Sequence, residues 1–241
     1  MEVKTRAIVL HALKYGDSQL IVDMLTREQG RVSFICRLSK TAAGRVKKQL
    51  FQPLTQLDMV YDFRPSRGLQ HFTDVRMARP YGTIPFDACK LSMALFLSEF
   101  LTYATRDTQQ DTQLFDYIAQ SMEWLDNVSA SFANFHLVFM MRLLRFIGFA
   151  PNLEADIPGA WFDLRNGSFT LNRPLHPDVL SPSEACRIGR LALMNYENMR
   201  LYRLSQADRN RCIDVILYYY RLHVPGFPEL RSLEVLKAVF A

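Results

Sequence analysis

The period of the hydrophobic pattern changes once along this chain, near residue 80, and that change constrains the fold more than any single motif. Before Pro80 the apolar residues alternate with period two. Val32, Phe34 and Cys36 share one face of a segment whose other face carries Arg31, Ser33 and Arg37. Leu57, Met59, Tyr61 and Phe63 oppose Gln56, Asp58, Val60 and Asp62 in the same way. Further runs at 6–12, 19–26 and 68–75 are separated by turn signals at Tyr15-Gly16-Asp17, Glu28-Gln29-Gly30 and 64–68. Five short strands in eighty residues leave little room for a sandwich, and a small closed Greek-key barrel of the OB type fits best. An SH3-like barrel has the same period, which does not separate the two.

After Pro80 the period becomes helical. Leu91, Ala94, Leu95, Ser98, Leu101 and Tyr103 fall within one helical pattern over 87–106, and Leu114, Ile118, Met122 and Leu125 share a face of the next. The segment 132–149 is apolar nearly all round and reads as a central buried helix ending at Gly148-Phe149-Ala150-Pro151. Ser181-Pro182-Ser183-Glu184 has the pattern of a capping box opening a helix to about residue 195. Ser205-Gln206-Ala207-Asp208 opens another to His223, and a last short helix covers 229–240. Between 151 and 180 lies an irregular insert, in which Asn166-Gly167 between two apolar runs predicts a β-hairpin. The expectation is an α+β chain of two domains: a five-stranded barrel at 1–80, and a helical domain at 81–241 with the insert at 151–180.

The formal charge of +5 is unevenly distributed. Residues 1–80 carry 14 Lys/Arg against 7 Asp/Glu, whereas residues 81–241 carry 15 against 17. Positive charge gathered in the first third suits a polyanionic partner, since neutralising phosphates releases counterions. Chemistry is much less visible. The chain has no phosphate loop, dinucleotide fingerprint, nucleophile elbow or HExxH pair. Its five histidines are dispersed, and its cysteines at 36, 89, 186 and 212 form no CxxC pair. We expect no enzyme activity, no cofactor and no metal. The opening stretch is too short and too broken for a signal peptide or membrane span, so the expectation is a cytoplasmic protein.

The informative cluster is the stretch from Arg37 to Lys48. Five of its twelve residues are basic (Arg37, Lys40, Arg45, Lys47 and Lys48), none is acidic, and Gly, Ser, Thr and Ala between them favour a loop. OB barrels grip oligonucleotides with such loops and with a strand face. Arg27, Arg31, Arg64 and Arg67 stand at turns or strand edges and extend the candidate nucleic-acid surface. Phe34, Tyr61, Phe63 and Phe72 offer stacking faces, although the alternation assigns most of them to the core.

Three segments resemble the bacterial RecO family of recombination mediators. Residues 17–32, DSQLIVDMLTREQGRV, resemble that family's opening hairpin. The basic loop running into Phe51-Gln52-Pro53-Leu54-Thr55 resembles its loop and following strand entry. LLRFIGFAPNL at 143–153 is similar to its "LLGFAPDL" helix end. The resemblance implies a DNA-binding protein of the RecF pathway of homologous recombination and DNA repair, associated with the nucleoid. Such a protein binds single- and double-stranded DNA and anneals complementary strands. With RecR it helps RecA replace single-strand binding protein (SSB). The resemblance also implies that the helical domain holds the acidic, apolar C-terminal tail of SSB, for which Arg142 and Arg145 are the candidates. Many members carry a four-cysteine zinc knuckle after the GFAP segment; here 154–180 contains no cysteine, so the metal is not carried over. Two other readings stay open: an OB-type RNA-binding protein of ribosome or tRNA metabolism, and a scaffold whose basic face binds an acidic protein.

Overall fold

The structure, a computed structural model, describes residues 1–37, 48–153 and 159–239. Among the candidate site residues, Lys40, Arg45 and Lys47 lie outside the described residues. The chain forms two compact units, Met1–Asn127 with Leu230–Val239, and Val128–Glu229.

The first unit is built on five antiparallel strands: β1 (Glu2–Tyr15), β2 (Gln19–Thr26), β3 (Gly30–Arg37), β4 (Gln56–Asp62) and β5 (Phe72–Arg79). They pair in the order β3-β2-β1-β4-β5. The inward face is the alternating set read from the sequence. Val22, Met24, Phe34, Leu57, Met59 and Tyr61 are all buried, and the rings of Phe34 and Tyr61 meet edge to face at 5.0 Å.

The order is OB-like, but the sheet is not closed by a ladder as the sequence led us to expect. Among the described residues, β3 is joined to the segment that precedes β5 by an isolated parallel bridge between Phe34 and Gln70. There the Gln70 N–H donates to Ser33 O at 2.9 Å and the Ile35 N–H to Gln70 O at 3.0 Å. The reason is the buried Gln70 side chain. Its carbonyl accepts from the Arg64 N–H, and its amide donates to Arg64 O and Arg67 O. That holds 64–70 as a loop, so the last strand starts at Phe72 rather than at residue 68.

A bulge in β1 decides what the outer face shows. Val9 pairs with Met24 and His11 with Asp23, leaving Leu10 as the extra residue. The bulge switches which parity points outward. Before it, Val3, Ala7 and Val9 line the core; after it, Leu13 and Tyr15 stand on the outer face, 55% and 54% exposed. Leu10 itself is buried, its carbonyl accepting from the Ser98 hydroxyl.

Two helices follow the sheet in this unit, α1 (Ala88–Ala104) and α2 (Thr112–Asn127). Asp87 caps α1 by accepting from the N–H groups of Cys89 and Lys90. The buried side of α1 carries Met93, Phe96, Leu97, Phe100 and Leu101, whereas Leu91 and Leu95 from the apolar pattern remain about two-fifths exposed. The segment entering α1 is anchored to the end of α2. Asp126 accepts from the backbone of Gly82, Thr83 and Ile84, and the buried Lys90 ammonium donates to Thr83 Oγ1 at 2.7 Å. Burial opposes ionisation of Asp126, but those N–H bonds hold its carboxyl below the usual range.

In the second unit α3 (Phe135–Phe146) is buried along Phe135–Met140 and at Leu143 and Leu144, with Arg142 and Arg145 at its surface. The insert forms β6 (Trp161–Asp163), β7 (Ser168–Thr170) and β8 (Val179–Leu180), paired β7-β6-β8. The expected hairpin is there, with a third strand that the sequence did not announce. Phe162 and Phe169 pack edge to face at 5.2 Å. Gly167 has φ +62°, where a side chain is strained, and a Cβ there would lie 2.5 Å from Tyr219 Oη, which would have to shift.

Two further helices follow, α4 (Pro182–Leu193) and α5 (Gln206–His223). Ser205 caps α5 by accepting from Asp208 N–H at 3.1 Å. Ser181 does not complete the expected capping box; its hydroxyl turns instead to the Glu184 carboxylate at 3.3 Å. The last helix, α6 (Leu233–Val239), belongs to the first unit, where Glu99 accepts from the N–H groups of Arg231 and Ser232.

Candidate nucleic-acid interface

The register of the three strands defines the outer face row by row. Ile8, Leu25 and Arg31 form one row; His11, Asp23 and Ser33 another; then Leu13, Ile21 and Ile35; and last Tyr15, Gln19 and Arg37. Arg31 and Arg37 are six residues apart on β3, about 20 Å along the strand. The two ends of this face are unlike.

At the Arg31 end the helices form a roof. Ile8 and Leu25 are fully buried. The Arg31 guanidinium donates to the Thr102 carbonyl and pairs with Asp23 at 3.3 Å. Gly30, with φ +65°, lies so close to α2's approach that a Cβ would meet the Gln110 backbone at 3.2 Å. Arg27 forms a two-pronged pair with Asp116 of α2, both N–O distances being 2.9 Å, and Arg6 reaches the same carboxylate at 3.3 Å. The hydrogen bonds from Arg27 hold the Asp116 carboxyl below the usual carboxylate range.

At the Arg37 end, among the described residues, no helix covers the sheet at Leu13 and Tyr15, which are more than half exposed. Arg37 is exposed at the strand end that leads into the basic stretch. The loop fixed by Gln70 runs along the β3 edge at Ser33–Ile35 and carries Arg64 and Arg67. Arg64 pairs with Asp62 at 2.9 Å, with both side chains about half exposed, a geometry that contributes little stability. Arg37 and Arg67 make no ion pair among the described residues. Lys48 is exposed at the start of a helical turn at 48–50, three residues before Phe51, whose ring lies 5.8 Å from Phe72. Of the candidate cations, therefore, Arg37, Lys48, Arg64 and Arg67 are presented to solvent, and Arg27 and Arg31 are engaged under the roof.

The aromatic candidates fall on the other side of the strands. Phe34 and Tyr61 are wholly buried, with Phe63 and Phe72 packed against that core. The outward aromatic is Tyr15, which the sequence reading assigned to a turn. Only the bulge would have revealed it, and one extra apolar residue in an alternating run leaves no clear mark.

The second unit carries a separate hollow of about 910 Å³. Arg142, Arg145 and Arg190 line it together with the apolar Met141, Leu153 and Leu191. The Arg142 guanidinium lies 5.4 Å over the Tyr196 ring, and Arg145 and Arg190 make no ion pair among the described residues. Around the insert lies a polar network. Asp178 accepts from Tyr218 Oη and Arg165, while Asp163 accepts from the backbone of Arg165 and Asn166 and faces His176 Nε2 at 3.3 Å. The bond from Tyr218, then that from Arg165, holds the Asp178 carboxyl below its usual range. Among the described residues no three His, Cys, Asp or Glu side chains gather as a metal site.

The structure is that of a two-part protein, an OB-like sheet with cations at its outer end followed by a helical half with an arginine-lined hollow. Comparison with known sequences fixes the family. The family model described as "Recombination protein O N terminal" matches residues 1–81, and "Recombination protein O C terminal" matches residues 85–234. A DNA repair protein RecO of Phocaeicola vulgatus is 46% identical over 238 residues, covering 99% of both chains. Its namesake in Bacteroides fragilis is 45% identical over 238 residues, 98% of each chain, and that of Porphyromonas gingivalis 35% over 244 residues, 100% of each. The chain belongs to the RecO family of DNA recombination and repair proteins. No helix among the described residues is long and apolar enough to cross a membrane.

Proposed function

We propose that this chain is a recombination mediator that acts by binding rather than by catalysis. The 1–80 half binds single- and double-stranded DNA through Arg37, Lys40, Arg45, Lys47, Lys48, Arg64 and Arg67, and helps complementary strands to anneal. The 81–241 half receives a partner in the hollow at Arg142 and Arg145. The acidic, apolar C-terminal tail of SSB suits that hollow, because guanidinium groups pair with carboxylates while an apolar floor accepts side chains. In this reading the protein works with RecR at the nucleoid to help RecA replace SSB on single strands.

The observation that carries the DNA reading is the solvent-facing set Arg37, Arg64 and Arg67, the last two on the loop that Gln70 bonds to the β3 edge. Family membership supports the rest. The test is annealing of complementary DNA strands, bare and SSB-coated, at varied salt. We expect annealing that weakens as salt rises, log affinity falling by about 0.7 per phosphate neutralised on a single strand. Preference for RNA over DNA of the same sequence would replace this reading with an RNA-binding one, and binding of neither would leave a protein scaffold.

A further inference from the structure

We propose that the uncovered end of the outer β1–β2–β3 face is a stacking platform for unpaired bases, with Tyr15 as its aromatic residue. The inference rests on the nucleic-acid reading above and adds which strand state the face selects. Three observations carry it.

The first is composition by row. Leu13, Ile21 and Ile35 make an apolar row, and the neighbouring row adds the Tyr15 ring, the Gln19 amide and the Arg37 guanidinium. Leu13 and Tyr15 are more than half exposed, while the inward residues Leu20 and Val22 of β2 and Phe34 and Cys36 of β3 are buried. Every base has a π-face, so an apolar and aromatic floor can take bases without reading sequence.

The second is charge. Arg37 stands at one end of the platform, and the loop that carries Arg64 and Arg67 is bonded to the β3 edge through Gln70 at Ser33 and Ile35. An apolar patch rimmed by cations suits a ligand with flat apolar faces and an anionic backbone. A second copy of this basic chain half would bring like charges together.

The third is spacing. Adjacent rows are two residues apart, about 6.7 Å, whereas bases stacked in a duplex repeat at about 3.4 Å. Neighbouring bases that occupy neighbouring rows must therefore unstack from one another. A single strand can do this; a duplex cannot without opening. Duplex DNA meets the rim cations only.

The experiment uses the full chain with an oligothymidine strand and a duplex of equal length, and reads log affinity against log salt. Tyr15→Ala should weaken single-strand binding by about 5- to 100-fold with the salt slope unchanged and duplex affinity unchanged. Tyr15→Phe should restore single-strand binding. Arg37→Ala should instead reduce the slope by about 0.7 on the single strand and weaken both ligands. Thermal melts of all three variants should match the parent, because both residues are solvent-exposed. Unchanged single-strand affinity in Tyr15→Ala overturns this inference and leaves the DNA reading intact. Equal losses on strand and duplex also overturn it, and so does a dimer in the parent that Tyr15→Ala dissociates. A parent chain that binds neither ligand overturns the inference and the DNA reading together.

Discussion

The two ends of one sheet face carry arginines of equal charge in opposite circumstances. At the roofed end Arg27 and Arg31 are held by Asp116, Asp23 and the Thr102 carbonyl. At the open end Arg37 and Arg67 have no ion-pair partner among the described residues, and Arg64 shares only an exposed carboxylate. Charge counting weights all five alike. A guanidinium already bonded to a carboxylate must give up that pair before it can bind a phosphate, so the folded chain offers less positive surface than its composition suggests. The difference comes from α1 and α2, which lie far along the sequence from the strands they cover.

The same strands differ as sharply between faces, and the largest expected effect lies there. Phe34 points into the core against Tyr61 and is wholly buried, while Tyr15 points out. Phe34→Ala should destabilise the protein by about 3–5 kcal/mol in denaturant unfolding, and Tyr15→Ala by no more than about 0.5 kcal/mol. A loss below about 1 kcal/mol for Phe34→Ala would mean that the inward face is not the packed core described here.

How much of this was legible beforehand follows from which forces are local. Alternation around Val32, Phe34 and Cys36 reports burial directly, so all five strands were readable, and so was the shift to helices after Pro80. Ser205 could be read as a cap because its partner, the Asp208 N–H, is three residues away. Ser181 shows the same sequence pattern yet faces a carboxylate, since Glu184 is also bonded by Arg211 from α5. The start of β5 was misplaced because Gln70 closes its loop through three side-chain hydrogen bonds that leave no periodic trace. The site was half legible. Its cations are visible in the sequence, but their pairing with Asp116 or Thr102 is set by packing over more than seventy residues of separation. The outward turn of Tyr15 depends on one bulged residue.

The next largest effect should appear in binding. Reversing Arg37, Arg64 and Arg67 to glutamate together should lower single-strand affinity at low salt by at least about 100-fold and flatten the salt dependence by about 2 in slope, 0.7 for each contact. The melt should stay within about 0.5 kcal/mol of the parent per substitution. Loss of binding together with loss of folding would make the open end structural and erase its contrast with the roofed end.

A smaller effect tests the roof through pH. Asp116 has a folded-state carboxyl held below its unfolded value by Arg27. Its contribution to stability is therefore complete above the unfolded value near 4 and is lost as pH falls through the lower folded value. Asp116→Asn should lower stability at neutral pH by about 0.5–1 kcal/mol, the range of a partly exposed pair. It should also lose less stability than the parent between about pH 4 and pH 2. Parallel acid profiles for the two proteins would show that the pair does not hold the helix to the sheet.

The smallest effect is the most discriminating between the two ends. Arg27 contacts no phosphate in our reading, because Asp116 fills the Nε–Nη2 edge of its guanidinium, Nη1 faces Glu28 Oε1 at 3.7 Å, and its side chain is only about a third exposed. Arg27→Gln should leave the slope of log affinity against log salt unchanged, although it removes the same unit of charge as Arg37→Ala. The change in net charge alone acts at long range, and at 0.15 M salt it is screened beyond about 8 Å, well short of the open end. A phosphate contact is different, since its loss removes one released counterion and shows as a step of about 0.7 on a single strand. If Arg27→Gln produces that step, the pair with Asp116 opens when DNA binds and the roofed end is part of the interface. If Arg37→Ala produces it and Arg27→Gln does not, pairing within the fold decides which of the chain's arginines can meet DNA.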